Sequence, residues 1–319
     1  MIEVNNLVKR YGSVTAVDHL SFRVNKGQIY GFLGPNGAGK STTMNMITGY
    51  ISATEGNVRI NGFDMSEEPE KAKEHIGYLP EIPPVYPDMT PEEYLLFSGE
   101  IKKVSKNELR REMERVMELT GVTQMRKRLI GNLSKGYRQR VGFACALLGN
   151  PEVAILDEPT VGLDPKQIID IRSLIQSLKG DHTVILSSHI LSEVSAVCDH
   201  VLIISKGKLV ADGQTDQIRG LMKHSNVYQM QVQGEEQQIL QSLKGVKDIR
   251  KLEAKTEDGG LVSIRLETDS DRDPRAEVFR VLAPIDCPIM ELTSKKMSLE
   301  DVFLELTDGQ EVKEHVGAL

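Results

Sequence analysis

A glycine-rich segment near the N-terminus has the residue types and the spacing of a phosphate-binding loop. The segment GPNGAGKST fits the pattern G-x-x-x-x-G-K-[ST] and stands between a predicted strand and a predicted helix. Gly34, Gly37 and Gly39 let the backbone bend so that successive N–H groups converge on phosphate oxygens, and the helix N-terminus adds positive potential. Lys40 is placed to reach the β- and γ-phosphates. The segment therefore predicts a site for the phosphates of a nucleotide.

Acidic side chains that suit a metal ion and a hydrolytic water follow the apolar segment VAIL. Asp157 and Glu158 stand at the end of this predicted buried strand, where ligands gather in open α/β sheets. Asp157 and the Ser41 hydroxyl suit a Mg²⁺ shell, and Glu158 suits a general base for the attacking water. An acidic pair that closes a strand is by itself more often a helix cap, so this interpretation depends on the phosphate loop in the same chain.

Two more residues acquire a chemical interpretation from the same context. His189 follows the apolar segment TVIL, and a histidine at that edge of the sheet can reach a γ-phosphate, although such a residue is usually structural. Tyr11 precedes the glycine-rich segment and can stack on a base, although an aromatic turn residue is the ordinary alternative. Both interpretations depend on the phosphate loop.

A second segment, NLSKGYRQR, has the composition of another phosphate-facing helix start. Ser134 and Gly136 stand at the N-terminus of a predicted helix, where backbone N–H groups favour an anion. The structural alternative is a serine-capped helix whose apolar residues face a core. The chain thus contains two predicted phosphate-facing helix starts, far apart in sequence.

Length and composition indicate a folded protein with more than one domain. The chain has 319 residues, of which 39% are hydrophobic, enough for a sizeable core. Its net charge of -7 provides no general attraction for nucleic acid, so no nucleic-acid partner is expected.

Cys145, Cys198 and Cys287 are scattered, which favours buried thiols in a reducing compartment over a zinc site. No apolar run approaches the length of a membrane span and the N-terminus does not resemble a signal peptide, so we expect a cytoplasmic protein whose membrane role requires a partner.

The strands and helices that must position these residues alternate in the manner of an α/β domain. Short β-rich segments lead into the glycine-rich segment, and NVRINGFDM predicts a hairpin that turns at Asn61-Gly62. A charged helical region starts with a Thr90 cap and predicts an inserted helical subdomain at about residues 90–150. VAIL and TVIL predict parallel strands that are covered on both faces. The first domain is predicted at residues 1–222.

The remaining residues, 223–319, follow a different pattern. Their order is strand, helix, strand, strand, helix and strand, which is the split βαβ or ferredoxin-like arrangement of an α+β domain. A further helix is predicted in the segment SLEDVFLELT, and the sequence of this part contains no catalytic constellation. We therefore predict a C-terminal accessory domain.

The motifs in this order resemble those of the ATP-binding cassette (ABC) transporter ATPases, over about two thirds of the chain. The resemblance implies the fold of a P-loop NTPase cassette, with a mixed sheet core, an inserted helical subdomain and a small ferredoxin-like domain after it. It implies ATP and Mg²⁺ as cofactors and ATP hydrolysis as the activity. Asp157 and Glu158 match the Walker B acids, His189 matches the switch histidine, and the segments LSKGY and GLD match the signature and the D-loop.

The site residues that the resemblance implies fall into three groups. The catalytic residues are Lys40, Glu158 and His189. The metal ligands are Ser41, Glu81 and Asp157. The residues that contact the nucleotide are Tyr11, Gly34, Pro35, Asn36, Gly37, Ala38, Gly39, Lys40, Ser41, Thr42, Ser134 and Gly136.

The resemblance also implies partners. Two cassettes of this family pack head to tail, so Ser134 and Gly136 are expected to meet the nucleotide of a second copy in a homodimer, which explains the two phosphate-facing helix starts. A multi-pass membrane permease is expected to dock near residues 81–89 and to hold the chain at the inner face of the cell membrane. The C-terminal domain resembles the extension of many bacterial exporter ATPases, so the implied direction of transport is export.

Three residues depart from the family pattern. Glu81 stands where the family usually has glutamine, and Lys135 and Tyr137 replace a glycine and a glutamine of the signature. A carboxylate can ligate Mg²⁺ or orient water, but it cannot donate a hydrogen bond as an amide does. Ser134 and Gly136 retain the hydroxyl and the N–H that would touch phosphate, so we expect phosphate binding in trans to persist.

Two other classes of function stay open at this stage. A soluble ABC ATPase that acts on ribosomes or nucleic acid is disfavoured by the single cassette and by the acidic balance. A non-hydrolysing regulatory module is disfavoured because Lys40, Asp157, Glu158 and His189 are all present. The transported substrate is not identified, because specificity in this family lies in the membrane subunit.

Overall fold

The computed structural model of the chain describes residues 1–215, 217, 226–257, 259–268 and 273–296. The described residues form two compact units, of which the first is Met1–Thr215 and the second begins after it. The domain boundary predicted at residue 222 and the helix predicted in SLEDVFLELT fall outside the described residues, so both stay predictions. In the part of the chain that the structure describes, no helix is both long and apolar enough to cross a membrane.

The first unit combines strands and helices in an α/β arrangement. Its strands are β1 (Ile2–Tyr11), β2 (Val14–Val24), β3 (Ile29–Leu33), β4 (Glu55–Ile60), β5 (Phe63–Asp64), β6 (Ile76–Leu79), β7 (Val153–Leu156), β8 (Thr183–Ser188), β9 (His200–Ser205) and β10 (Lys208–Gln214). Its helices are α1 (Lys40–Ile47), α2 (Pro69–Glu74), α3 (Pro91–Ile101), α4 (Lys106–Leu119), α5 (Lys135–Leu147), α6 (Pro165–Ser177) and α7 (Leu191–Val197).

Two sheets organise these strands. A six-stranded sheet has the order β10-β9-β3-β8-β7-β6, and its strands are parallel except for β10. An antiparallel sheet has the order β2-β1-β4-β5. The predicted hairpin at Asn61-Gly62 is confirmed: β4 pairs with β5, and both turn residues have positive φ, as a tight hairpin turn requires.

The central strands of the six-stranded sheet explain where the site forms. Every residue of β3, β7 and β8 is buried, as expected for parallel strands covered on both faces. Leu33 at the end of β3 pairs with Ser188 at the end of β8, and Leu156 at the end of β7 pairs with Leu186. The segments that follow these three strands therefore emerge at the same edge of the sheet.

Helices α3, α4 and α5 lie between β6 and β7 in the chain and pack against one another. The predicted Thr90 cap is confirmed. Its hydroxyl accepts the N–H of Glu93 at 3.3 Å, and the Glu93 carboxylate accepts the N–H of Thr90 at 2.8 Å, which is a complete capping box. This reciprocal pair starts α3 at Pro91, whose missing N–H is harmless in the first turn.

The second unit is a small α+β fold with its own core. Its elements are β11 (Asn226–Gln233), α8 (Glu236–Leu243), β12 (Ile249–Thr256), β13 (Leu261–Thr268), α9 (Arg275–Leu282) and β14 (Ile289–Lys296). The sheet is antiparallel with the order β12-β13-β11-β14, which is the arrangement of a split βαβ fold. Apolar residues of both helices, among them Ile239 and Val278, pack with buried strand residues such as Val232 and Leu266.

Candidate nucleotide-binding and hydrolysis site

The glycine-rich loop joins β3 to α1 and turns sharply at two glycines. Gly37 has φ 80° and Gly39 has φ 102°, conformations that a side chain would strain. Helix α1 begins at Lys40 after Gly39, and among the described residues no side chain caps this helix start. The N–H groups of the first helical turn are therefore presented to an external anion, as the sequence pattern predicts.

Lys40 holds a buried positive charge inside this loop. Its Nζ donates hydrogen bonds to the carbonyl oxygens of Gly34 at 2.8 Å and Pro35 at 3.3 Å. The same Nζ lies 3.4 Å from Oε1 of Glu158, and both side chains are more than nine-tenths buried. A buried ammonium requires such compensation, so Lys40 connects the phosphate loop to the residue predicted as the general base.

A cavity of about 350 Å³ lies over the loop and α1. Its lining residues are Ala16, Asn36, Gly37, Gly39, Lys40, Ser41, Thr42, Glu81, Glu158, Val161 and His189. The structure therefore brings the predicted phosphate loop, Glu81, Glu158 and His189 to one cavity, although long stretches of chain separate them.

Glu158 and His189 form a hydrogen-bonded pair at the edge of this cavity. Oε2 of Glu158 lies 3.0 Å from Nδ1 of His189, and the carboxylate is buried while the imidazole is 40% exposed. Glu158 has φ 46°, a left-handed conformation that is unusual for this residue type. Its backbone N–H donates to the Ser187 hydroxyl at 2.9 Å, which helps to hold this conformation.

Asp157 lies behind the cavity, at the end of β7. Its backbone N–H donates to the carbonyl of Leu79 at 2.8 Å, and its Oδ1 accepts the Ser187 hydroxyl at 2.5 Å. Asp157 is buried, and the described lining of the cavity does not include it. Burial and, next, the Asp157 charge raise the pKa of the neighbouring Tyr78 phenol to about 12, so this hydroxyl stays protonated at neutral pH.

The oxygen donors at this edge fit a magnesium ion, the metal that the family resemblance implies. Ser41 and Glu81 line the cavity, and Asp157 follows the strand beside it. Over residues 1–215, 217, 226–257, 259–268 and 273–296, no three His, Cys, Asp or Glu side chains converge as a preformed metal cage. Mg²⁺ is commonly held by one or two carboxylates together with substrate phosphates and water, so a sparse donor set of this kind suits it.

Tyr11, Ser134 and Gly136 lie apart from the cavity that contains the loop. Tyr11 ends β1, is 52% exposed, and has the Lys9 ammonium 5.3 Å from its ring centroid. Ser134 caps α5 by accepting the N–H of Tyr137 at 3.4 Å. Gly136 lines a separate cavity of about 560 Å³ beside α6. The two predicted phosphate-facing helix starts of one chain thus border different cavities.

Sequence reasoning missed four residues that support the pair Glu158 and His189. Ser187 bonds to both Walker B positions, and Ser188, Thr160 and Glu193 form a buried hydrogen-bonded group next to them. A partial signal was present in the sequence, because two hydroxyl residues stand directly before His189, after the apolar residues of the strand.

Comparison with known proteins gives the family. The chain is 34% identical over 311 residues to the bacitracin transport ATP-binding protein BcrA of Bacillus licheniformis, an alignment that covers 97% of this chain and 98% of the relative. This chain belongs to the ABC transporter family. Residues 17–161 match the family model described as ABC transporter. As an ABC transporter ATP-binding protein, it binds and hydrolyses ATP and powers a membrane transporter.

Further relatives are similar to this ABC ATPase, either over nearly the whole chain or over the cassette. The linearmycin resistance ATP-binding protein LnrL of Bacillus subtilis (strain 168) is 33% identical over 313 residues, which are 96% of this chain and 98% of the relative. The dimeric structure of MJ0796, a bacterial ABC transporter cassette, is 25% identical with a TM-score of 0.62, and the match covers 67% of this chain and 99% of that chain. The predicted P-loop cassette fold is confirmed.

Proposed function

We propose that this ABC ATPase is the energy-supplying subunit of an exporter, in which two copies close around ATP and drive a separate membrane permease. The observation that carries the proposal is the convergence of Lys40, Glu158 and His189 on the cavity over the phosphate loop. A chain whose cassette served only as a regulatory surface would not require a buried carboxylate held between a lysine and a histidine.

The phosphates of ATP bind to the loop N–H groups and to Lys40. To reach a phosphate, the Lys40 ammonium exchanges its bonds with the Gly34 and Pro35 carbonyls for bonds with the ligand. Phosphate binding also competes for the charge that Lys40 shares with Glu158. Nucleotide binding and release of the Glu158 carboxylate toward water are therefore coupled.

Glu158 acts as the general base for hydrolysis. It accepts a proton from the attacking water as the water oxygen bonds to the γ-phosphorus and the bond to the β-phosphate oxygen breaks. His189 orients this carboxylate through the 3.0 Å contact and reaches the γ-phosphate with its other ring nitrogen. When bound, Mg²⁺ neutralises phosphate charge, and Ser41, Asp157 and Glu81 are the residues that would hold it.

A second copy supplies the missing half of each site. Ser134 is exposed at the start of α5 and Gly136 borders a cavity separate from the phosphate loop, so neither residue of one chain needs to serve its own nucleotide. The dimeric form of the MJ0796 cassette supports this arrangement. Tyr11 carries an exposed ring on the hairpin whose Ala16 lines the cavity, which suits stacking on adenine.

The permease docks at residues 81–89 and holds the chain at the inner face of the cell membrane. Ile82 is 81% exposed and Tyr86 is 48% exposed, and the Tyr86 ring packs edge-on against Tyr94 and Phe97 at 6.0 and 5.9 Å between ring centroids. Exposed apolar side chains grouped in this way mark an interaction surface.

We further propose that the cassette comprises residues 1–222, with its helical subdomain at about 90–150, and that residues 223–319 form an accessory domain.

A membrane co-purification experiment tests this function. Membranes from cells that produce the Glu158→Gln protein are solubilised and purified in ATP and Mg²⁺, and the co-purifying proteins are identified by mass spectrometry. We expect a multi-pass membrane protein, in larger amount than with a matched Lys40→Ala, Glu158→Gln variant. The cargo test begins with bacitracin and linearmycin, the compounds that the names of these two relatives contain. Recovery of ribosomes or nucleic acid instead would overturn the transport assignment.

A further inference from the structure

A buried carboxylate outside the cavity joins the two segments that carry Glu158 and His189. Glu193 belongs to α7 and is 6% exposed. The described lining of the cavity does not include it. An ionised carboxylate is costly to bury unless it is paired and hydrogen-bonded, so its partners indicate what holds it in this position.

The Oε2 atom of Glu193 accepts hydrogen bonds from both segments. Thr160 donates its hydroxyl at 2.5 Å, and Ser188 donates its hydroxyl at 3.4 Å. Thr160 stands two residues after Glu158, and Ser188 stands directly before His189. One carboxylate oxygen thus ties the segment after β7 to the end of β8, next to the pair that performs hydrolysis.

Ser188 extends this connection around His189. Its Oγ accepts the backbone N–H of Ile190 at 3.0 Å, so one hydroxyl bonds to the residue after His189 and to Glu193. A serine bonded to the N–H two residues later closes a local turn and restricts the backbone of the residue between them. The backbone from which the imidazole projects is therefore held against Glu193.

Arg172 completes the environment of Glu193 from a third element. Its guanidinium lies 3.6 Å from Oε1 of Glu193 and belongs to α6, the helix that follows the GLD segment. The Nε atom of Arg172 is buried and has no hydrogen-bond partner within the described part of the chain. The arginine is thus positioned mainly by its charge, opposite the carboxylate.

We propose that Glu193 is a positioning residue for ATP hydrolysis, which sets the separation and orientation of Glu158 and His189 by bonding to Thr160 and Ser188. The proposal rests on the proposed function, because it requires Glu158 and His189 to act on ATP. Glu193 touches neither nucleotide nor water in this role. Since Glu193 lies behind the cavity, it affects the turnover number. The affinity for ATP depends on the phosphate loop instead.

The first variants weaken the contacts of Glu193 from each side. Thr160→Val removes one donor with little change of volume, and Thr160→Ser restores it. Glu193→Gln keeps the shape but has a single oxygen, so it cannot both accept from the two hydroxyls and face the Arg172 guanidinium. We expect kcat to fall about tenfold to a hundredfold in Thr160→Val and Glu193→Gln, by analogy with groups that orient the ligands of a metal ion, with KM for ATP changed less than about twofold. Thr160→Ser should return kcat to near the unaltered value.

Asp64→Asn is the matched control for burial. Asp64 is also 6% exposed and accepts hydrogen bonds from the Ser66 N–H and hydroxyl and from Asn57, but it lies in β5, in the antiparallel sheet. We expect Asp64→Asn to lower the thermal midpoint while kcat stays unchanged. Equal kcat for folded Glu193→Gln, folded Thr160→Val and the unaltered protein would overturn the proposal.

A double-variant cycle separates positioning from general stability. In a His189→Ala background, the distance that Glu193 maintains no longer matters, so adding Glu193→Gln should reduce the residual kcat by less than about twofold. Multiplicative losses in that cycle would contradict the proposal. The proposed function is checked separately by Glu158→Gln: if that variant hydrolysed ATP normally, the base assignment would fail whatever the result at Glu193.

Discussion

The imidazole Nδ1 of His189 lies 3.0 Å from Oε2 of Glu158, while Lys40 approaches the other carboxylate oxygen at 3.4 Å. One buried carboxylate is therefore shared between Lys40, the proposed phosphate ligand, and His189 at the sheet edge. This arrangement makes the charge and orientation of Glu158 sensitive to occupation of the phosphate loop.

Glu158→Gln should stop turnover and preserve binding. The amide has the size of the carboxylate but cannot accept the proton of the attacking water, so we expect kcat to fall by about 10² to 10⁴. ATP affinity, measured by calorimetry, should stay within a few-fold of the unaltered protein because the loop and Lys40 remain. Size-exclusion chromatography with ATP and Mg²⁺ should show an accumulated dimer. Turnover at the unaltered rate would exclude Glu158 as the base.

Lys40→Ala should weaken ATP binding and also destabilise the empty loop region. The substitution removes the proposed phosphate ligand and leaves the Glu158 carboxylate buried without its lysine, an arrangement that is strongly unfavourable. The double variant Lys40→Ala, Glu158→Gln should therefore unfold at higher temperature than Lys40→Ala alone, while binding ATP as weakly. A double variant no more stable than Lys40→Ala would show that the Lys40–Glu158 ion pair contributes little to the free energy of unfolding.

Ser187→Ala should impair hydrolysis through Asp157 and Glu158 together. The hydroxyl is fully buried, donates to Asp157 and accepts the Glu158 N–H, so its loss leaves one buried donor unsatisfied, at about 1–3 kcal/mol of unfolding free energy. We expect kcat to fall about tenfold or more, with a higher Mg²⁺ requirement.

Thr183→Val is the control for Ser187→Ala. Thr183 lies at the opposite end of the same strand, is 1% exposed, and accepts the N–H of Gly27 at 3.1 Å through its hydroxyl. Urea denaturation should show a comparable loss of stability in both variants. Only Ser187→Ala should lose activity, and equal kcat losses would attribute the effect to stability alone.

Glu81 should influence the metal more than the nucleotide. Because its carboxylate lines the cavity with Ser41, Glu81→Ala should raise the Mg²⁺ concentration for half-maximal hydrolysis, whereas Glu81→Gln, which keeps an oxygen ligand, should raise it less. EDTA should abolish turnover in each protein. A titration of Mg²⁺ at saturating ATP measures the concentration for half-maximal hydrolysis in each variant. An unchanged Mg²⁺ requirement in Glu81→Ala would remove Glu81 from the metal shell.

The stabilising contribution of Asp64 to the first unit should be lost in acid. Burial acts to raise the pKa of Asp64, but hydrogen bonds from Ser66 and Asn57 and the Arg59 charge outweigh it and hold the pKa below its ordinary value. The folded-state pKa is below the unfolded one, so this stabilisation is present above about pH 4 and is lost as pH falls through the folded pKa. Urea midpoints of the unaltered protein and Asp64→Asn should differ by a constant amount from pH 5 to 8 and converge in stronger acid. A difference that did not shrink in acid would contradict the assignment.

Local sequence patterns were sufficient to predict much of the fold and of the site. The phosphate loop depends on residue order within one strand, turn and helix, so its glycines and Lys40 could be recognised from spacing alone. The same holds for the hairpin at Asn61-Gly62 and for the capping box at Thr90, where the interacting groups are at most a few residues apart. Buried parallel strands were visible as unbroken apolar segments, because both faces of such strands are covered.

Contacts between distant segments could not be read in this way. That Lys40 and Glu158 share a charge, or that Ser187 serves two acids, depends on the register of neighbouring strands, which no local pattern specifies. Tyr11 shows the same limit, since its type suggests stacking but the described lining of the cavity does not include it.

By itself, the sequence determined that this protein has a phosphate loop, acids after a buried strand and the motif order of an ABC cassette, because these signals are local and covalently spaced. The tertiary structure alone decided that Glu193 bonds to Thr160 and Ser188. The reason is that β7 and β8 pair side by side, which brings together residues that lie more than a helix apart in the chain.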